Sequence, residues 1–121
     1  MNTYTTLEQS KKLAEILPTE CADMEFMFLK RDGSEVSNVP FVKNGFEEPE
    51  CCYIFIPCWS LAALLNSVKY NTINLHYNDV RNDWIASCTM EHSTRYESGR
   101  ALNPVDACYE MILKLHEHKL L

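Results

Sequence analysis

The residues with the most obvious capacity for chemistry are sulfur. Residues 51–65 read CCYIFIPCWSLAALL, so three of the six cysteines fall within eight positions beside a tryptophan. A structural zinc site needs four Cys or His ligands, usually as two close pairs such as C-x2-C. The spacings here are C-C and C-x5-C, and no C-x2-C occurs. Adjacent strand residues point to opposite faces, so a strand through Cys51 and Cys52 cannot turn both thiols to one ion. Free cysteine packs as a small apolar group, and core sulfur is the simpler reading. No metal or other cofactor is expected.

A nucleophilic cysteine needs a positive or helix-N-terminal setting that favours thiolate. Cys58 precedes the second expected helix and is the one thiol with that setting. Its imidazole partner would be His76. Cys108 falls on the apolar arc of the last expected helix, where burial favours neutral thiol. His116 and His118 stand about 200° apart on a helix and cannot chelate one ion. His116 falls in the apolar arc and is expected to be packed or hydrogen-bonded near the helix end, with His118 solvated at the C-terminus. The densest group of polar side chains is EHSTRYESGR, residues 91–100. It carries no phosphate-loop glycine pattern and no nucleophile elbow. Arg and Tyr on a loop held by rigid elements are typical binding anchors. The candidate binding surface is therefore His76, Glu91, His92, Arg95, Tyr96 and Arg100, with Asn74 and Asn78 beside His76.

These residues need a fold to hold them. The 121 residues fit one domain, with 46% apolar and 23% charged residues. The net charge is −6, with no basic cluster, which argues against binding to polyanionic nucleic acid. An acidic surface suits a basic protein partner. No apolar run approaches the length of a membrane span, and MNTYTTLEQSKKLAEIL is not a signal sequence. The expected compartment is the cytoplasm, with thiols reduced and no disulfide framework.

Hydrophobic periodicity supplies the elements. A helix is expected over residues 5–17, with a capping box from Thr5 and Glu8, an apolar stripe of Leu13, Ala14, Ile16 and Leu17, and Pro18 as its stop. Residues 24–30 read as a strand with Met24, Phe26 and Phe28 on one face. Asp32-Gly33 and Asn44-Gly45 signal turns, with a partner strand near residues 39–42. Residues 52–56 are apolar on both faces, which predicts a central strand covered on two sides, or at least a deeply placed one, closed by Pro57. Ser60 then caps a helix presenting Leu61, Leu64, Leu65 and Val68, with Trp59 packed on Leu64 as a hydrophobic staple; the alternative start puts Pro57 in the first turn. Residues 71–78 alternate, with Ile73, Leu75 and Tyr77 opposite Thr72, Asn74, His76 and Asn78. Residues 84–90 return as a hairpin partner. Residues 91–102 lack pattern and are expected to be a loop. Asn103 caps a last helix with Pro104 at its first position and Asp106 at its dipole. The sum is a single α+β domain over residues 1–121, a mostly antiparallel sheet with about three helices packed on it.

Three stretches, LPTECADM, IPCWSLAALL and NPVDACYEMILKLHE, resemble a family of small uncharacterised proteins from gut Bacteroides-type bacteria, often encoded in mobile or phage-like elements. The resemblance runs from the first helix to the last. Its motifs are structural, so it carries over no catalytic or binding residue. It implies a bacterial cytosolic accessory protein rather than a metabolic enzyme.

The expected function is that of a small acidic accessory protein acting through protein–protein interaction. The alternative is a small enzyme or ligand-binding domain using Cys58, His76 or the 91–100 loop. The broad arc of the last helix leaves room for a homodimer that buries its excess.

Overall fold

The computed structural model describes residues 3–43, 52–68, 71–90 and 96–119, and the side chains of 71, 72, 89, 90, 96 and 97 lie outside that description. Helix α1 (Leu7–Ala14) and a 3-10 turn (Thr19–Cys21) lead into strands β1 (Met24–Leu29), β2 (Phe41–Val42) and β3 (Tyr53–Cys58). Helix α2 (Leu61–Asn66) precedes β4 (Asn71–Asn78), β5 (Asp83–Met90) and β6 (Tyr96–Ala101), and α3 (Pro104–Glu117) follows. The strands form two antiparallel three-stranded sheets, ordered β2-β1-β3 and β4-β5-β6. The α+β class follows.

The helix starts are built by local polar chemistry. The Thr6 hydroxyl, one residue after the expected cap, accepts from the Gln9 amide, and the Gln9 side-chain oxygen accepts from the Thr6 amide. Thr5 is released for another task, described below. Ser60 caps α2 by accepting from Ala63, and Asn103 caps α3 by accepting from Asp106 with Pro104 at the first position. Trp59 and Leu64 are both fully buried in one core cluster. Asp32 accepts from the Ser34 amide and hydroxyl, and Gly33 turns there with φ 73°. The Asn44-Gly45 turn signal lies outside the described residues.

Two expectations about β3 are corrected. Among the described residues β3 is an edge strand beside β1 and not a deeply placed one: Ile54 is exposed while Tyr53, Phe55 and Ile56 are half-buried. Two-sided apolarity therefore reflects a strand half-covered on each face. Pro57 lies within the strand opposite Glu25 rather than closing it. An edge strand tolerates proline because the missing N–H can face away from the ladder. Only from Cys58 onward does the sulfur-rich stretch enter the deep core.

The core lies where α3 meets β5, β6 and α2. Val105, Ala107, Cys108, Met111, Ile112 and Leu115 are buried on α3, while Tyr109 and Leu113 at the margins of its apolar arc are half-buried. His116 is exposed, against expectation: it borders the arc where α3 runs past the core. The largest correction is β6. Its helix-side positions are Glu97, Gly99 and Ala101, which follow from pairing opposite Cys88, Ala86 and Trp84. Gly99 is buried under α3, and a Cβ there would collide with the Ala107 carbonyl oxygen, the Met111 amide nitrogen and the Glu110 Cβ. A strand that lets a helix lie this close carries small residues where bulky apolar ones would announce it.

Candidate functional site: the open face of the second sheet

The register of β4-β5-β6 sorts the candidate residues. His76 stands opposite Ile85, and Ile85 opposite Arg100, so these three form one row across the sheet. Asn74, Ser87 and Ser98 form the next row, and Thr72, Thr89 and Tyr96 the one after. All occupy the face opposite the one that carries Ala86, Cys88 and Gly99 under α3. His76, Asn74 and Arg100 are exposed there. Two of the predicted surface residues, His76 and Arg100, thus share one face, and positions 96 and 100 belong to a strand rather than a loop. Glu91, His92 and Arg95 lie outside the described residues.

Arg100 is fixed from within the sheet. Its Nε donates to Asp83 Oδ2 at 3.0 Å, and Asp83 is 8% exposed. Asp83 begins β5, two residues before Ile85, so the pair crosses diagonally from β6 to β5. Asp83 Oδ1 is buried with no hydrogen-bond partner among the described residues. The guanidinium is therefore held over the face by a carboxylate beneath it. Sequence spacing could not link positions 83 and 100, because β6 had no strand signature.

The Cys58 site has different chemistry. Cys58 is fully buried, and its thiol donates to the Thr5 carbonyl at 3.4 Å. The Thr5 hydroxyl lies 3.5 Å from Cys58 Sγ and 2.8 Å from Ser10 Oγ, and it accepts the Trp59 amide at 3.1 Å. Residues 3–5 run alongside the β3–α2 junction, with Thr5 donating to the Trp59 carbonyl, Tyr4 bridging Ser60, and Leu61 donating to the Thr3 carbonyl. Asp23 accepts the Ser60 amide at 2.9 Å and the Ser60 hydroxyl, tying the start of β1 to the same junction. Burial pushes the Cys58 thiol upward against the smaller opposing pull of Thr5 and Ser10. A nucleophile needs the reverse shift and a path to solvent. His76 is exposed on the other sheet, and no imidazole is among the groups acting on Cys58. The structure does not join the two residues.

Among the described residues no group of three His, Cys, Asp or Glu side chains could hold a metal ion. An open cleft lies at the end of the first sheet, lined by Leu29, Lys30, Arg31 and Cys52, away from His76 and Cys58. No described helix is long and apolar enough to cross a membrane. Comparison with known proteins gives no family model, no curated relative and no solved structure that matches.

Proposed function

We propose that the protein is an acidic accessory factor that acts by binding another protein, and that the open face of β4-β5-β6 is its contact surface. The observation that carries this reading is the register that puts His76 and Arg100, both exposed, on one face of the sheet. Arg is enriched at interface hot spots, and an Arg braced by a buried carboxylate loses less conformational freedom on binding. The net charge of −6 favours a partner with a basic patch around its contact. The setting we infer is the bacterial cytosol, in a mobile or phage-like genetic context, and nucleic acid is not the partner. The alternative reading as an enzyme is weakened at Cys58 by burial.

Affinity capture from a host lysate tests the proposal, comparing the native protein with Ser87→Arg at the centre of the face. A protein retained by the native chain and lost with the variant is the expected result. A partner held equally by both refutes the face, and repeated capture without any partner refutes the function.

A further inference from the structure

We propose that β4 pairs edge to edge with β4 of a second copy, antiparallel and centred on Leu75, giving a continuous six-stranded sheet. The first observation is the edge itself. Among the described residues β4 has only β5 as a sheet neighbour. Residues 71–78, NTINLHYN, contain no Lys, Arg, Asp, Glu or Pro, and the register with β5 runs one-to-one over all eight positions without a bulge. Natural edge strands are blunted by charge, proline, bulges or shortness. The other edges are: β2 has two residues, β3 contains Pro57, and β6 carries Glu97 and Arg100.

The second observation is the placement of α3. It packs chiefly on β6 and β5. On the helix side of β4, Ile73 and Leu75 are only partly buried, and Tyr77 is 49% exposed. An apolar lane therefore borders the unblunted edge.

What occupies this edge follows from charge and symmetry. A two-fold axis perpendicular to a sheet keeps each side chain on its own face, so it must pass through a residue and not between two. Centred on Leu75, it sets Leu75 opposite Leu75, Ile73 opposite Tyr77, and Asn74 opposite His76. Apolar meets apolar on the helix side and polar meets polar on the open side, the self-complementary pattern an isologous interface needs. Each chain carries a net charge of −6. Contact through a strand free of carboxylates keeps the repelling charges of two copies off the seam. This dimer differs from the expected one in joining copies through β4 rather than through the arc of α3. It does not depend on the proposed partner face, whose test variant lies on the central strand.

Sedimentation equilibrium of the native protein should give twice the 14.0 kDa of one chain. Asn74 and His76 are both exposed, so their replacement spares the core. The N74E/H76E variant sets Glu opposite Glu at two symmetry-related places and should weaken dimerisation by about tenfold or more. The N74K/H76E variant sets Lys opposite Glu at the same places and should restore it. A native protein that stays at the mass of one chain, even at high concentration, overturns the proposal. So does a dimer indifferent to N74E/H76E. Failure of N74K/H76E to restore the dimer overturns the Leu75-centred pairing, since an axis through Asn74 would set Lys against Lys.

Discussion

Replacing Gly99 with alanine tests whether the contact between β6 and α3 holds the second sheet together. Gly99 is not in the left-handed region, so the cost of a methyl group there is steric. A Cβ would stand 2.9 Å from Glu110 Cβ and closer still to the Ala107 carbonyl oxygen and the Met111 amide nitrogen. Carbon atoms pack best at about 3.5–4.0 Å. The colliding atoms belong largely to helix backbone, which cannot rotate aside, so α3 must lift by about 1 Å. Such a gap forfeits a quarter to a half of the dispersion energy of each contact it opens. Overpacking a well-filled core costs about 1–3 kcal/mol, and this rigid site belongs at or above the upper end. About 3 kcal/mol is a large part of the stability of a small domain and lowers its Tm by about 10 °C. Urea denaturation followed by circular dichroism measures the loss. Gly33→Ala is the control, since nothing lies within 4 Å of a Cβ there and only its φ of +73° resists. That strain is worth about 1–2 kcal/mol. If Gly99→Ala costs no more than Gly33→Ala, the close approach of helix and strand is wrong.

Thr5→Val keeps the shape but leaves the Trp59 amide without its acceptor. It should cost about 2 kcal/mol by urea titration, whereas Thr5→Ser should cost less than half as much. Arg100→Ala strips the counterion from a nearly buried Asp83 and should lower stability by about 1–3 kcal/mol. The double variant with Asp83→Asn should recover most of that loss, and a double variant no better than the single one would show that the carboxylate was never the cost. Burial pushes the Cys108 thiol up to about 11. The unfolded chain therefore loses this proton first as the pH rises, so stability is full below about 9 and falls toward pH 11, by about 2–3 kcal/mol for this group. Burial acts in the same direction on Cys58 and Cys88. Urea midpoints across pH 7–11 should show the decline, and Cys108→Ala should make it shallower.

Where a side chain both patterns the sequence and fills the core, the fold was legible. The last helix, its Asn103 cap and the hairpin of β4 and β5 are of that kind, since period 3.6 and period 2 are written in apolar residues. β6 was not, because Gly99 and Ala101 do their packing by being small. That omission hid part of the candidate surface: His76 could be placed on a wet strand face, but Arg100 could not be brought beside it without a third strand. The capping box moved by one residue because Thr5 has a deeper use. Competition between two adjacent threonines for a cap is decided by a partner more than fifty residues away, which local spacing cannot contain. The buried state of Cys58 was half legible, since its apolar surroundings were visible and the lid of residues 3–5 was not.

That lid also orders events in time. The contacts of Thr5 with Cys58 and Trp59 span 53 and 54 positions. Helix α1 can form locally, but its leading residues have nothing to join until β3 and the start of α2 exist. Closing so long a loop costs entropy that only the finished junction repays, and contacts of high sequence separation slow folding. On a ribosome, the early segment must wait for roughly half the chain to emerge before it docks.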